Sequence, residues 1–224
     1  MRVTTVRLKG VYSQGLAVKP LEVLERETVI GEDLTDELGV TKYEPTLKIS
    51  RGFYPASPNP FFLKYTDIEH IENYPGVIKE GELVSITEKI HGTNARWMRT
   101  PEGEFLAGSH NTHLKPICYL NKSKGSTIDF STIETACASV VEIGLEETLG
   151  NTIIDLFHKF GDITAVMQEL VESGDISHSS IYWEIGMREK LYEILDKGEQ
   201  IFGEIYGYGV QALDYDLKDK KVRY

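Results

Sequence analysis

The sequence predicts an α+β fold in which an antiparallel sheet is accompanied by a separate block of helices. Three patterns lead to this prediction. Apolar and polar residues alternate over 81–109, apolar residues recur every three or four positions over 131–197, and alternation returns in "EQIFGEIYG" at 199–207. Strands in one run and helices in another favour α+β over a doubly wound parallel sheet.

The chain is expected to hold two domains. Residues 1–50 contain short β-branched runs broken by glycines, which predicts a partial β-rich module. Residues 51–66 hold three prolines and show no periodicity, so they are predicted to form a linker or an extended arm. Residues 67–224 are the second domain.

The second domain is predicted to begin with strands. "GELVSITEK" at 81–89 alternates and predicts a strand that ends at Lys89. "NARWMRT", "PEG" and "EFLAGS" then predict a hairpin that continues the same sheet.

Helices are predicted over 131–197. Ser131 and Glu134 are placed as a capping box, and a second helix is expected to end at Gly161. A third helix is expected between Asp162 and Gly174, and a fourth over 180–197.

Composition limits the kinds of partner and compartment. With 24 basic and 35 acidic residues the net charge is −11, so nucleic-acid binding would need a local basic patch, a divalent metal or a partner segment. Cys118 and Cys137 lack metal-type spacing, which fits a reducing, cytoplasmic setting. No apolar run approaches eighteen residues, and the first ten residues lack the apolar core of a secretory signal, so no membrane partner is expected.

The stretch "EKIHGTN" at 88–94 raises the question of covalent chemistry at Lys89. A lysine amine attacks phosphorus only when it is neutral, a state that burial or a nearby cation favours. His91 and Arg96 are candidate neighbours, and Gly92 would let the backbone approach a ligand closely. The alternative is a solvated lysine in a glycine turn.

A second stretch, "IFGEIYGYG" at 201–209, places Phe202, Glu204 and Tyr206 on one strand face. A carboxylate between two aromatic residues is costly to bury without a partner. A ribose hydroxyl, a metal-bound water or the Lys89 amine would serve as that partner. The alternative is an exposed strand face on which Glu204 is hydrated.

Together these stretches resemble the covalent nucleotidyltransferase superfamily, and ATP-dependent RNA ligases most closely. "EKIHGTN" is similar to the nucleophile motif of that family and "IFGEIYG" to its third motif. "LKGVYSQGL", "GEDLTDELGVTKYEP" and "KYTDIEHIENYP" resemble the Deinococcus-type RNA ligase branch, in which an OB-like module precedes the transferase domain. The resemblance covers most of 5–110 and 181–215.

The resemblance implies that Lys89 accepts AMP from ATP, with Mg²⁺ or Mn²⁺, and that the AMP activates RNA ends for sealing, as in RNA repair. Glu204 would contact the ribose or the metal, and Glu88 would meet the adenine through its backbone. The nucleotide-binding residues implied in this way are Glu88, Ile90, His91, Gly92, Asn94, His110, Phe202 and Glu204.

The chain also departs from the family pattern. His110 in "GSHN" stands where many relatives carry arginine, and His110 with His113 has a spacing that also suits metal ligation. Residues 111–180 match no family segment and are predicted to form a helical insertion. The chain stops at "LKDKKVRY", which is predicted to be a solvated basic turn. A truncated chain, or one completed by a C-terminal segment, is therefore expected.

Two other functions stay open on sequence alone. One is a catalytically impaired or split fragment that acts as a nucleic-acid-binding or interaction module, which the acidic charge favours. The other is a DNA ligase or capping-type guanylyltransferase. His91 favours RNA ligase, because those two classes usually carry aspartate at this position.

Overall fold

The computed structural model describes residues 6–8, 11–13, 19, 22, 24, 26–40, 53–66, 68, 70–121, 125–213 and 215–224. The chain divides into two compact units, Met1–Lys48 and Ile49–Tyr224.

The smaller unit contains one described hairpin, in which β1 (Val6–Leu8) pairs antiparallel with β2 (Val11–Ser13). Further along, Arg26 forms ion pairs with Glu32 and Glu37 across a segment of turns. Much of the OB-like module predicted over 1–50 lies outside the described residues, so that module stays a prediction.

The larger unit is built on a five-stranded sheet in which every neighbouring pair is antiparallel. The strands are β3 (Thr93–Arg99), β4 (Phe105–Ser109), β5 (His113–Leu114), β9 (Gln200–Gly207) and β10 (Lys220–Arg223). Their order in the sheet is β10-β9-β3-β4-β5, so β3 and β9, which lie far apart in the chain, are neighbours at the centre. The predicted hairpin and the predicted strand near 200 are both confirmed.

Residues 111–180 form more than a helical insertion, so that prediction is corrected. They include a second antiparallel sheet of β6 (Ile117–Leu120), β7 (Thr127–Asp129) and β8 (Ile176–His178). Strands of three or four residues are too short to show alternation in the sequence.

Three helices lie between β7 and β8 in the chain, and two more lie between β8 and β9. Thr132, and not Ser131, is the N-cap of the first helix, with a reciprocal bond from Thr135. Gly161 has a φ of 67° and ends the second helix, as predicted. The helices are α1 (Ile133–Glu142), a π-helical turn (Glu146–Gly150), α2 (Asn151–Phe160), α3 (Ile163–Glu172), α4 (Ile181–Arg188) and α5 (Leu191–Ile194).

The fourth predicted helix, over 180–197, is wrong as a single element. Lys190 adopts a φ of 55° and separates α4 from α5. Left-handed backbone cannot continue a right-handed helix, so the chain turns there. None of the helices in the described part of the chain has the length and apolar character that crossing a bilayer requires.

The predicted strand over 81–89 is also wrong. This segment has no regular secondary structure, and Leu83 and Ile86 are 100% and 94% exposed. Alternation describes a strand only where a neighbouring chain supplies hydrogen bonds, and none of the described strands pairs with it. Lys89 therefore precedes β3 by a few residues and does not end a strand.

Residues 53–66 pack on the larger sheet as an arm, and are not a free linker. Pro55 bridges to Leu114, and the Ala56 N–H donates to the His113 carbonyl at 2.9 Å. The side chain of Phe62 is buried with Met98 and Leu106. These contacts place the arm in the larger unit.

The two faces of the larger sheet differ in character. Ala95, Trp97 and Ile205 point into the main core, and the Trp97 indole N–H donates to the Tyr182 carbonyl of α4 at 2.8 Å. Gly186 of α4 makes room for this contact, because a Cβ there would lie 2.6 Å from the indole nitrogen. The opposite face carries the arm and the polar residues described next.

Candidate active site

A cavity of about 850 Å³ opens on the polar face of the larger sheet. Its walls come from β3, β9, β10, the turn that follows β4, the arm, residues 68–71 and the irregular segment that precedes β3. A volume of this size is in the range of pockets that bind small molecules and cofactors. Seven sequence-predicted residues line it: Glu88, Lys89, Ile90, Asn94, His110, Phe202 and Glu204.

Glu204 lies at the centre of this arrangement. Its Oε1 accepts a hydrogen bond from the Gly92 N–H at 3.0 Å, and Glu204 stands directly opposite Asn94 on the neighbouring strand. Burial raises the pKa of the Glu204 carboxyl, while the Gly92 bond and the positive charges of Lys89 and His91 act in the opposite direction. The carboxylate and Lys89 therefore interact across the cavity.

The backbone around Gly92 explains why glycine is needed there. A Cβ at Gly92 would lie 2.1 Å from the Ile205 carbonyl oxygen, so the glycine lets β3 approach β9. At Gly203 a Cβ would lie 2.6 Å from the Arg223 carbonyl oxygen. The sheet itself makes the close approach at both positions, including Gly92, where the sequence predicted a ligand.

His91 is placed differently from the prediction, because it does not line the cavity. Its backbone N–H donates to the Tyr215 hydroxyl at 2.6 Å, and the Tyr215 ring meets Tyr206 edge-on at 5.5 Å between centroids. Through this hydrogen bond, Tyr215 links the stretch 88–94 to the loop between β9 and β10. The sequence contained no signal for this contact.

Asn94 carries an unsatisfied group in the cavity wall. Its Oδ1 is buried and has no hydrogen-bond partner within the described part of the chain. A buried acceptor without a partner costs about 1–3 kcal/mol, so a donor supplied by a ligand would be favourable here.

Arg96 does not line the cavity at which Lys89 lies. It is 2% exposed, and its guanidinium donates to the main-chain oxygens of Ser109, Phe62 and Leu63. Arg96 therefore holds the arm, and its expected closeness to Lys89 stays a prediction.

His110 and His113 do not form a metal site together. His113 Nδ1 lies 2.9 Å from the Ser57 carbonyl oxygen and its ring meets Phe62 edge-on, whereas His110 packs beside Tyr65 in the cavity. Within the described ranges, no three side chains of the His, Cys, Asp and Glu types lie close enough to hold a metal ion.

The basic tail is not a solvated turn, and this changes the site. It forms β10, in which Lys220 pairs with Glu184 at 2.9 Å and Arg223 stands opposite Glu204. The sequence did not indicate the cavity residues that come from the C-terminal end, from the arm and from the segment that follows the arm. They are Tyr65, Ile68, His70, Ile71, Arg223 and Tyr224.

The sequence matches no protein-family model and no curated protein. Among solved structures it is similar to a mutant of Naegleria gruberi RNA ligase with ATP and Mn, at a TM-score of 0.43, and to the same ligase with PPi, at 0.41. In both, identity is 21% over 99% of this chain and 49% of the solved chain. The chain spans about half the length of these structures, and the similarity is too distant to assign a family or an activity.

Proposed function

We propose that this chain is the nucleotidyltransferase core of an ATP-dependent RNA ligase, with Lys89 as the nucleophile. The observation that supports this most is the meeting of Lys89 and Glu204 in one cavity. They belong to the two stretches that resemble the nucleophile motif and third motif of that family. The folded chain brings both motifs to one place.

The proposed first step is attack of the neutral Lys89 amine on the α-phosphorus of ATP. A nitrogen–phosphorus bond forms, the bond to the β-phosphate oxygen breaks, and pyrophosphate leaves while the amine loses a proton to solvent. AMP then passes to an RNA 5′-phosphate, and a 3′-hydroxyl displaces AMP to seal the strand. Such steps depend mainly on positioning and charge neutralisation.

The chain's own residues supply positioning. Asn94 offers its unpartnered Oδ1 to a nucleotide donor group, and Arg223 brings a positive charge to the cavity for phosphate. The Gly92 bond fixes Glu204 at the cavity that Lys89 also lines, and the carboxylate would accept a hydrogen bond from a ribose hydroxyl there.

A divalent cation fits this cavity only with most of its ligands supplied by the nucleotide and water. Glu204 is the described carboxylate best placed to contribute one oxygen, and Mg²⁺ is often held by one or two carboxylates together with substrate phosphates. The ion would neutralise part of the triphosphate charge.

RNA ends as substrate, a cytoplasmic location and a role in repair belong to the same proposal. The Deinococcus-type assignment is carried by the N-terminal and arm segments and stays a prediction. So does completion of the site by a C-terminal segment.

Incubation with ATP or GTP labelled at the α-phosphate tests the proposal. We expect labelled protein with ATP and Mg²⁺, no label with GTP, and loss of label in Lys89→Ala. Labelling by GTP alone would indicate a capping-type guanylyltransferase. No label with either nucleotide would contradict the enzymatic function and favour a binding module.

A further inference from the structure

The arm that borders the cavity is fixed to the sheet at two consecutive residues. Arg96, on β3, donates through Nη1 to the Phe62 and Leu63 carbonyl oxygens at 2.9 Å and 2.5 Å. Its guanidinium carbon lies 4.1 Å from the centroid of the Phe62 ring. Arg96 therefore binds both the backbone and the side chain of the arm.

A second side chain repeats this contact from the adjacent strand. Gln200, on β9, accepts from the Leu63 N–H at 2.9 Å and donates to the Leu63 carbonyl at 2.7 Å. Its amide thus pairs with both backbone groups of one residue, as a neighbouring strand would. We name Arg96 and Gln200 the arm clamp.

The arm clamp lies next to the wall of the cavity. Tyr65 follows Leu63 by two residues and lines the cavity. Its ring meets Phe202 edge-on with centroids 5.4 Å apart, and the His110 ring lies 5.9 Å away at a tilt. Phe202 pairs with Arg96 across β9 and β3. The arm clamp and the cavity wall formed by Tyr65 and Phe202 therefore lie on the same face of the sheet.

We propose that the arm clamp positions Tyr65 as a nucleotide-contacting wall of the cavity, so that Arg96 and Gln200 control nucleotide affinity without touching the nucleotide. This inference rests on the proposed function for the identity of the ligand. Aromatic rings at such walls contribute through stacking or edge contacts with a planar base. The clamp bonds to Leu63 go to main-chain atoms, so they do not depend on the Leu63 side chain.

Binding of ATP with Mg²⁺ is the first test, measured by calorimetry on the Lys89→Ala chain so that adenylation does not interfere. We expect Tyr65→Ala and Gln200→Leu each to weaken binding about tenfold. The Tyr65→Ala, Gln200→Leu double variant should bind like Tyr65→Ala alone, because the clamp acts through Tyr65.

Leu63→Ala is the matched control. The Leu63 side chain is 64% exposed, and its backbone makes the clamp bonds, so this variant should bind ATP as the parent does. Full affinity in Tyr65→Ala, or additive losses of about a hundredfold in the double variant, would overturn the inference.

Trypsin cleavage after Lys64 tests the clamp without any ligand. Gln200→Leu should speed cleavage at this bond at least tenfold, because releasing Leu63 exposes the arm, whereas Leu63→Ala should not. Equal rates in parent and Gln200→Leu would overturn the clamp. Failure of the parent to bind ATP would overturn the proposed function and the contact between Tyr65 and the nucleotide. The cleavage rates would still show whether Gln200 holds the arm on the sheet.

Discussion

Glu204 is partly buried, and the proposed chemistry uses the negative charge of its carboxylate. Burial raises the pKa of its carboxyl, and the Gly92 N–H, Lys89 and His91 offset part of that effect. A folded-state pKa above the ordinary value contributes stability that is present at low pH and is lost as pH rises through the raised value. At pH 7 the ionised Glu204 therefore costs the fold some stability.

We predict that Glu204→Gln separates stability from activity. Glutamine keeps an oxygen that accepts the Gly92 bond and removes the buried charge, so the melting temperature at pH 7 should stay equal or rise. Labelling by ATP should fall by about a hundredfold, because the charge beside Lys89 is lost. Thermal unfolding and labelling measure the two effects, and full labelling in this variant would contradict the role of Glu204.

At the scale of elements, the site depends on how closely β3 and β9 approach each other. The register places Thr93 opposite Ile205 and Asn94 opposite Glu204. Gly92 comes immediately before β3, where its N–H reaches Glu204 and its missing Cβ leaves space for the Ile205 carbonyl. A single residue thus joins the stretch 88–94 to the stretch 201–207.

Gly92→Ala should destabilise the protein by about 1–3 kcal/mol, because the added methyl group would meet the Ile205 carbonyl at 2.1 Å and separate the strands. Labelling by ATP should fall together with the stability of the protein.

Gly150→Ala is the control, because Gly150 has a helical φ and a Cβ added there would lie 3.7 Å from its nearest neighbouring atom. That change should be neutral or stabilising by about 0.4–1 kcal/mol in urea unfolding. Equal stability of the two variants would argue against the close approach.

Short sequence patterns predicted the helix ends, which depend on residues close together in the chain. Asp162 caps α3 and Gly174 follows its end with a φ of 80°, as residues of these types do in many proteins. The segment 81–89 alternates like a strand, yet pairing depends on a neighbour that the sequence does not reveal. The turn predicted for the tail is wrong for the converse reason, because residues 220–223 form β10 by pairing with β9 across the loop at 208–219.

The same distinction holds for the site. Lys89 and Glu204 could be singled out because each lies in a stretch that resembles a family motif, and both line one cavity in the structure. Tyr65, Arg223 and Tyr215 reach the region through the arm, β10 and the loop between β9 and β10. Their positions follow from tertiary packing, which short sequence patterns do not predict.

Over the larger unit, the two sheets share one apolar core. Trp97, Cys118, Ile176 and Trp183 belong to the same buried cluster, and the Trp183 indole donates to the Leu114 carbonyl at 3.0 Å. His178 lies at this junction, with its Nδ1 3.6 Å from the Cys118 sulfur. Burial lowers the pKa of His178 to about 4.

Stability is therefore expected to fall in mild acid. The unfolded chain binds a proton at His178 near the ordinary pKa of 6.5, whereas the folded chain resists protonation until about pH 4. Between these values His178 should account for about 3 kcal/mol of lost stability. Denaturant unfolding across this range should show a correspondingly shallower pH dependence in His178→Leu, while the exposed His158→Leu should leave the dependence unchanged. An unchanged profile in His178→Leu would contradict this account of burial.

The proposed function requires a covalent bond between AMP and Lys89. Mass spectrometry of the protein after incubation with ATP and Mg²⁺ detects this bond, with Lys79→Ala as the control for an exposed lysine ten residues earlier in the sequence. We expect one AMP on the peptide that contains Lys89, retained in Lys79→Ala and absent from Lys89→Ala. An AMP adduct on another residue that persists in Lys89→Ala, or no adduct at all, would contradict it.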